Sequence, residues 1–188
     1  KSDLKDGYVL KDRVIYSVEN GKKTKLLTMD EINIVGTHNG ENVMAAIAIA
    51  KEIGVPMDVI LDTVKDFKAV AHRIEFVREY KGVKYYDDSK GTNPDATVKA
   101  IEAMDGPTIL FAGGHDKEVA FDDMIKACQG KVKLLIALGK TKEKIAICAA
   151  KHGFKDVVEV DNYEEGVKIA FDNAKEGDFV LLSPACAS

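Results

Sequence analysis

Cysteine is scarce in this 188-residue chain. Cys128, Cys148 and Cys186 are an odd number without close pairing. That pattern builds neither a disulfide framework nor a zinc site. Cys128 and Cys148 fall on apolar helix faces and are expected to be buried fillers, which suits a reducing cytosol. No apolar run approaches the roughly 20 residues that span a bilayer. No signal peptide opens the chain. A basic stripe with interleaved aromatics is also missing, and the net charge is −4. Nucleic-acid binding is therefore disfavoured. There is no internal repeat and no low-complexity tract.

What is present is enough for a core. Hydrophobic residues make up 46% of the chain, and charged residues of both signs make up 31%. The length suits one domain or one and a fraction. Both ends are abrupt, so a fragment of a longer protein is expected.

Residues 1–35 alternate apolar and polar around turns such as Asn20-Gly21, predicting short antiparallel strands. Asn42–Ile53 is an Ala-rich helix ended by Gly54, and Pro56 starts a second helix. Residues 68–72 carry no period and suggest a linker. From Arg73 the texture changes. Two strands, 74–80 and 83–86, meet at Lys81-Gly82. Helices over 94–104, 120–128, 142–151 and 163–174 then alternate with strands over 108–112, 133–138, 157–160 and 179–182. This predicts an α/β, Rossmann-like, doubly wound and mostly parallel sheet with helices on both faces.

Ligands of such sheets bind beyond the carboxyl ends of the strands. The segments leaving those ends are Asp87-Asp88-Ser89-Lys90-Gly91-Thr92-Asn93-Pro94, Gly113-Gly114-His115-Asp116-Lys117, Gly139-Lys140-Thr141 and Ser183-Pro184-Ala185-Cys186-Ala187-Ser188. Small residues, hydroxyls and lysines at one edge suit an anion. Asn93-Pro94 alone is an ordinary helix start. Capping does not explain Asp88, Ser89, Lys90 and Thr92 together. Gly139-Lys140-Thr141 is not a P-loop, because Leu134 stands where that motif needs glycine. No Gly-x-Gly-x-x-Gly follows a strand. No His is tied by spacing to Cys186, which disfavours it as a nucleophile. Arg73 at the change of texture has the bidentate fork that suits a phosphate.

Taken together, His38-Asn39-x-x-Asn42, His72-Arg73-x-Glu75, Asp88-Ser89-Lys90-Gly91-Thr92-Asn93, Gly113-Gly114-x-Asp116-Lys117 and Ser183-Pro184-Ala185-Cys186-Ala187-Ser188 resemble the Mur ligase family, and within it the members that add D-glutamate. The match runs from about residue 30 to the end. The resemblance implies that residues 1–70 end a central ATP-binding domain. Residues 71–188 would be most of a carboxyl-terminal Rossmann-like domain, truncated at its end. It implies an ATP-dependent acid–D-amino-acid ligase of peptidoglycan synthesis, and hence of cell-wall biogenesis, shape and division. Such an enzyme joins D-glutamate to UDP-N-acetylmuramoyl-L-alanine through an acyl phosphate. Asn39, Asn42, Arg73, Asp88 and Lys90 would meet ATP, with Asp88 on the ribose hydroxyls. Thr92, Lys117 and Ser188 would bind D-glutamate. His38 would support the domain junction. Mg2+ would accompany ATP, with its ligands and the P-loop outside this chain. A cytoplasmic monomer is expected, inactive as a fragment. The alternatives are a sister ligase adding another amino acid and a non-catalytic Rossmann-like binding domain.

Overall fold

The computed structural model describes residues 4–68 and 70–187, and the chain divides into two compact units, Lys1–Ala69 and Val70–Ser188. In the first unit the alternating residues form the expected meander. Strands β1 (Gly7–Lys11), β2 (Val14–Glu19) and β3 (Lys22–Thr28) lie in the order β1-β2-β3. Helix α1 (Thr37–Glu52) begins five residues before Asn42, earlier than predicted. Its first turn is polar and adds nothing to the apolar stripe that starts at Val43. After Gly54 and Pro56, α2 (Met57–Asp66) follows as expected. Ile15, Leu27, Val43, Ile47 and Ile60 form the core of this unit.

The second unit is a six-stranded sheet. Its strands are β4 (Glu75–Tyr80), β5 (Val83–Asp87), β6 (Thr108–Ala112), β7 (Val132–Ala137), β8 (Val157–Glu159) and β9 (Phe179–Leu182). The order is β4-β5-β9-β6-β7-β8. Only the β4–β5 hairpin is antiparallel. The pairs β5–β9, β9–β6, β6–β7 and β7–β8 are parallel, so those five strands share one carboxyl edge. Helices α3 (Pro94–Ala103), α4 (Asp122–Cys128) and α5 (Lys142–Lys151) connect strands that advance in one direction across the sheet. Right-handed crossovers place these three on one face. Helix α6 (Tyr163–Asn173) leads back to β9 and takes the other face. There Ile109, Phe111, Ile136 and Val180 meet Ala170 of α6. Alternation turns Leu110, Leu135 and Leu181 the opposite way, and each is 0% exposed. Among the described residues no helix is long and apolar enough to cross a membrane.

The return of β9 between β5 and β6 sets the positions of the edge loops. Asp88 N–H donates to Leu182 O at 2.7 Å, Ser183 N–H to Phe111 O at 3.1 Å, and Gly113 N–H to Pro184 O at 2.8 Å. A buried side-chain chain runs through the same place. Ser183 Oγ donates to Asp88 Oδ2 at 2.7 Å and lies 2.8 Å from Thr97 Oγ1 on α3. Asp88 Oδ1 accepts from Ile74 N–H at 3.2 Å. All three side chains belong to buried residues. Gly91 is needed beside them, because a Cβ there would stand 2.3 Å from Asp88 Oδ2 and 2.7 Å from Ser183 Oγ. Burial pushes the Asp88 carboxyl above its ordinary value, and the hydrogen bonds from Ser183 and Ile74 offset this only in part.

Ile109→Ala removes a fully buried side chain and should cost about 2–5 kcal/mol. Ile147→Ala, at a residue 71% exposed, should stay within about 0.5 kcal/mol. Urea unfolding followed by circular dichroism measures both, and equal losses would contradict this core assignment. Asp88→Ala leaves Ser183 Oγ and Ile74 N–H without their acceptor and should cost about 2–4 kcal/mol. Asp88→Asn keeps the shape and removes the charge. A carboxyl raised in the fold favours the folded state while protonated, below the unfolded value of about 3.9. That contribution is lost as pH rises through the folded value. The stability of Asp88→Asn relative to the parent should therefore improve from pH 4 to pH 7. A parallel pH dependence of the two proteins would show that the buried charge is not destabilising.

Candidate functional site

The segment after β5 and the His72-Arg73 turn bonded to it each present one cation, and the segment's carboxylates are folded away. Lys90 N–H donates to His72 O at 3.0 Å, which joins the His72-Arg73 turn to this loop. His72 has a left-handed φ of 65°. Its conformation is held by its N–H on Glu75 Oε2 and its Nδ1 on Asp87 Oδ2, both at 2.7 Å. Asp87 also accepts from Ser89 N–H at 2.8 Å. Burial raises the Asp87 carboxyl, but His72 and Ser89 outweigh it and hold the carboxyl below the usual carboxylate range. Arg73, Lys90 and Thr92 are exposed. Lys90 makes no ion pair among the described residues. The loop ends where Asn93 caps α3, its side chain accepting from Ala96 N–H at 2.9 Å with Pro94 in the first turn.

Asp88, expected on ribose hydroxyls, lies inside the fold in this structure. The residue is 2% exposed, and its carboxylate faces Ser183 and Ile74. The physical reason is the insertion of β9, which brings Ser183 against the loop after β5.

The segment after β6 is shaped by close backbone approach. Gly113 has φ 124°, and a Cβ there would lie 1.9 Å from Leu138 O. Thr141 then clasps Gly114, accepting from its N–H at 3.0 Å through Oγ1. Thr141 also contacts Cys186 Sγ at 3.4 Å. Gly139–Thr141 is thus a short turn into α5, and Thr141 is a structural clasp. Asp116 accepts from Glu118 N–H at 2.8 Å and pairs with Lys144 at 3.0 Å, which together lower its carboxyl. Between Asp116 and Glu118, Lys117 is exposed and makes no ion pair among the described residues. Ser188 lies outside the described residues. Ala187 stands opposite His115 in an isolated bridge, with His115 N–H donating to Ala187 O at 2.8 Å. Cys186 is 1% exposed and burial raises its thiol, which fits packing better than nucleophilic attack.

In the first unit, His38, Asn39 and Asn42 all sit in the opening turns of α1. Asn39 Nδ2 donates to Val35 O at 2.7 Å and tethers the entering loop. Asn42 Nδ2 donates to Asn39 Oδ1 at 3.2 Å. Asn42 is exposed, while His38 and Asn39 are half-buried. The sequence reading missed Asp87, Thr97, Thr141 and Lys144 as partners. Asp87 stood inside the quoted loop and was identifiable there. The other three act across separations that no local pattern reports. Burial pushes the Cys128 thiol up to about 12. Cys148, expected to be a buried filler, is only partly buried.

Known proteins resemble this chain over its whole length. Residues 72–186 match the family model described as Mur ligase, glutamate ligase domain. The UDP-N-acetylmuramoylalanine–D-glutamate ligase of Thermoanaerobacter sp. is 52% identical over 190 residues, covering 100% of this chain and 42% of that protein. UDP-N-acetylmuramate-alanine ligase MurC from Thermotoga maritima shares the fold, with a TM-score of 0.69 at 17% identity over 96% of this chain and 41% of that one. The Thermotoga maritima MurF ligase in complex with ADP gives a TM-score of 0.61 at 18% identity, covering 94% and 41%. The chain thus spans about two fifths of the relatives it matches. It belongs to the Mur ligase family, and residues 72–186 are its glutamate ligase domain.

Proposed function

We propose that this chain is part of the ATP-dependent ligase that joins D-glutamate to UDP-N-acetylmuramoyl-L-alanine during peptidoglycan precursor synthesis. The observation that carries the reading is 52% identity, across the entire chain, to a ligase named for that reaction. The edge chemistry supports it. Both substrates that would meet here are anions, and the edge loops expose the cations Arg73, Lys90, Lys117 and Lys140, with the acids Asp116 and Glu118 beside Lys117. Charge-assisted bonds to carboxylate and phosphate are among the strong ones.

In this reading Arg73 and Lys90 face the ATP phosphates, and Asn42 with Asn39 meets the nucleotide from the first unit. Thr92 and Lys117 receive the D-glutamate carboxylates, and Ser188 joins them on sequence grounds. His38 orders the junction between the units. Asp88 would meet the ribose hydroxyls, and its buried contacts hold Lys90 and Thr92 at the edge. ATP transfers its γ-phosphoryl group to the substrate carboxylate and leaves as ADP, and the D-glutamate amine attacks the acyl phosphate, expelling phosphate to form the amide. Mg2+ would accompany the nucleotide and neutralise phosphate charge. Arg73 and Lys90 suit phosphate oxygens rather than a metal, which prefers oxygen ligands, so no step here passes through it. The ligase would act as a cytoplasmic monomer in cell-wall growth and division.

Two measurements on the intact ligase test this reading. D-glutamate should support turnover, whereas L-lysine, diaminopimelate and L-alanine should not. Turnover with one of those three in place of D-glutamate would reassign the chain to a sister enzyme. Lys117→Ala removes one charge-assisted contact of about 1.5–3 kcal/mol. The D-glutamate KM should rise about 10- to 100-fold, with the ATP KM little changed. An unaltered D-glutamate KM and rate would remove Lys117 from the site.

A further inference from the structure

Cys148 and His152 stand four residues apart at the end of α5, and therefore on one face and one turn from each other. His152 N–H still donates to Cys148 O at 3.2 Å, so the helical turn is intact between them. Asp122, the first residue of α4, reaches the same place. Its Oδ1 lies 2.8 Å from His152 Nε2. One ligand atom from each of Asp122, Cys148 and His152 lies within 4.8 Å of the other two. A tetrahedral zinc ion with ligands at roughly 2.0–2.3 Å holds them about 3.5 Å apart, so only small side-chain rotations are needed. The cleft is reachable, with the Asp122 side chain 36% and the His152 side chain 20% exposed. Gln129 Nε2 donates to His152 O at 3.0 Å and steadies this helix end.

We propose that Asp122, Cys148 and His152 form a zinc site, with water as fourth ligand, that clamps α4 to α5. A thiolate and an imidazole select zinc over magnesium or calcium, which favour oxygen ligands. Cysteine spacing alone spoke against any zinc site. That expectation considered cysteines paired along the chain, whereas here a single cysteine joins ligands from two helices. The competing occupant is Lys151, whose Nζ lies 2.9 Å from Asp122 Oδ1. Its side chain is 68% exposed and can swing into water when a divalent ion replaces it. A solvated ion-pair cluster explains Lys151, Asp122 and His152. It does not explain a half-buried thiol beside the same carboxylate. Zinc bound to the folded chain alone would raise its stability by mass action.

Cobalt, the spectroscopic stand-in for zinc, tests the site in this chain. Titration with Co²⁺ should give one equivalent of tetrahedral visible bands together with a near-ultraviolet thiolate-to-metal band. Zn²⁺ should displace both and raise Tm. Cys148→Ser should abolish the thiolate band, whereas Cys128→Ser and Cys186→Ser should keep it. Asp122→Asn and His152→Gln should weaken binding at least ten-fold. Lys151→Ala leaves every ligand in place and should tighten binding, which guards against a variant that merely unfolds. Absence of the thiolate band, its persistence in Cys148→Ser, or unchanged affinity in Lys151→Ala would overturn the proposal.

Discussion

The carboxyl edge of the second unit depends on one buried contact, Ser183 Oγ against Asp88 Oδ2. Strand β9 returns between β5 and β6, and its outgoing residue Ser183 lands among the loops of both neighbours. Backbone bonds alone would align the strands. The side-chain chain from Ile74 through Asp88 and Ser183 to Thr97 adds the start of β4 and the helix α3 to the same point. A buried carboxylate is unfavourable unless its hydrogen-bonding capacity is met. Here the donors come from segments distant in sequence, so the contact can form only when β9 is correctly inserted. Gly91 belongs to this constraint, since no side chain fits beside the two oxygens.

The same economy governs the charges. Three carboxylates and three cations of the edge are treated differently. Asp87 is engaged by His72 and Ser89, Asp88 by Ser183, and Asp116 by Lys144. Arg73, Lys90 and Lys117 stay exposed. Asp87, Asp88 and Asp116 therefore shape the loops, and Arg73, Lys90 and Lys117 remain to meet an anion, with Glu118 exposed beside Lys117. This division is what makes the edge suitable for phosphate and carboxylate groups, and formal charge counts do not reveal it.

Much of the fold was legible locally. Strand and helix periods located every element of the second unit to within about two residues, and Asn93-Pro94 marked the start of α3. These signals are short-range, so sequence carries them directly. The start of α1 was misplaced because Thr37–Glu41 has no apolar stripe. The position of β9 was hidden for a different reason. Parallel pairing between residues near 85 and 180 leaves no local trace. Asp88 was therefore recognised as important, but its buried partners Ser183 and Ile74 were not. The exposed lysines were found by residue type and place after a strand. Thr97 and Thr141 were not, because a buried threonine on a helix or turn resembles any other until its partner is known.

Asp87 and Asp88 show how this local division serves the edge. Two adjacent ionised carboxylates would repel each other and oppose the approach of an anion. Burial raises both carboxyls, and the hydrogen bonds each receives set them apart. Asp88 stays above its ordinary value, while His72 and Ser89 hold Asp87 below the usual carboxylate range. Each carboxylate of the segment thus has its own partners within the fold. The buried Ser183 contact accomplishes this by withdrawing one carboxylate from the surface. It supports an anion site without any direct contact with the anion.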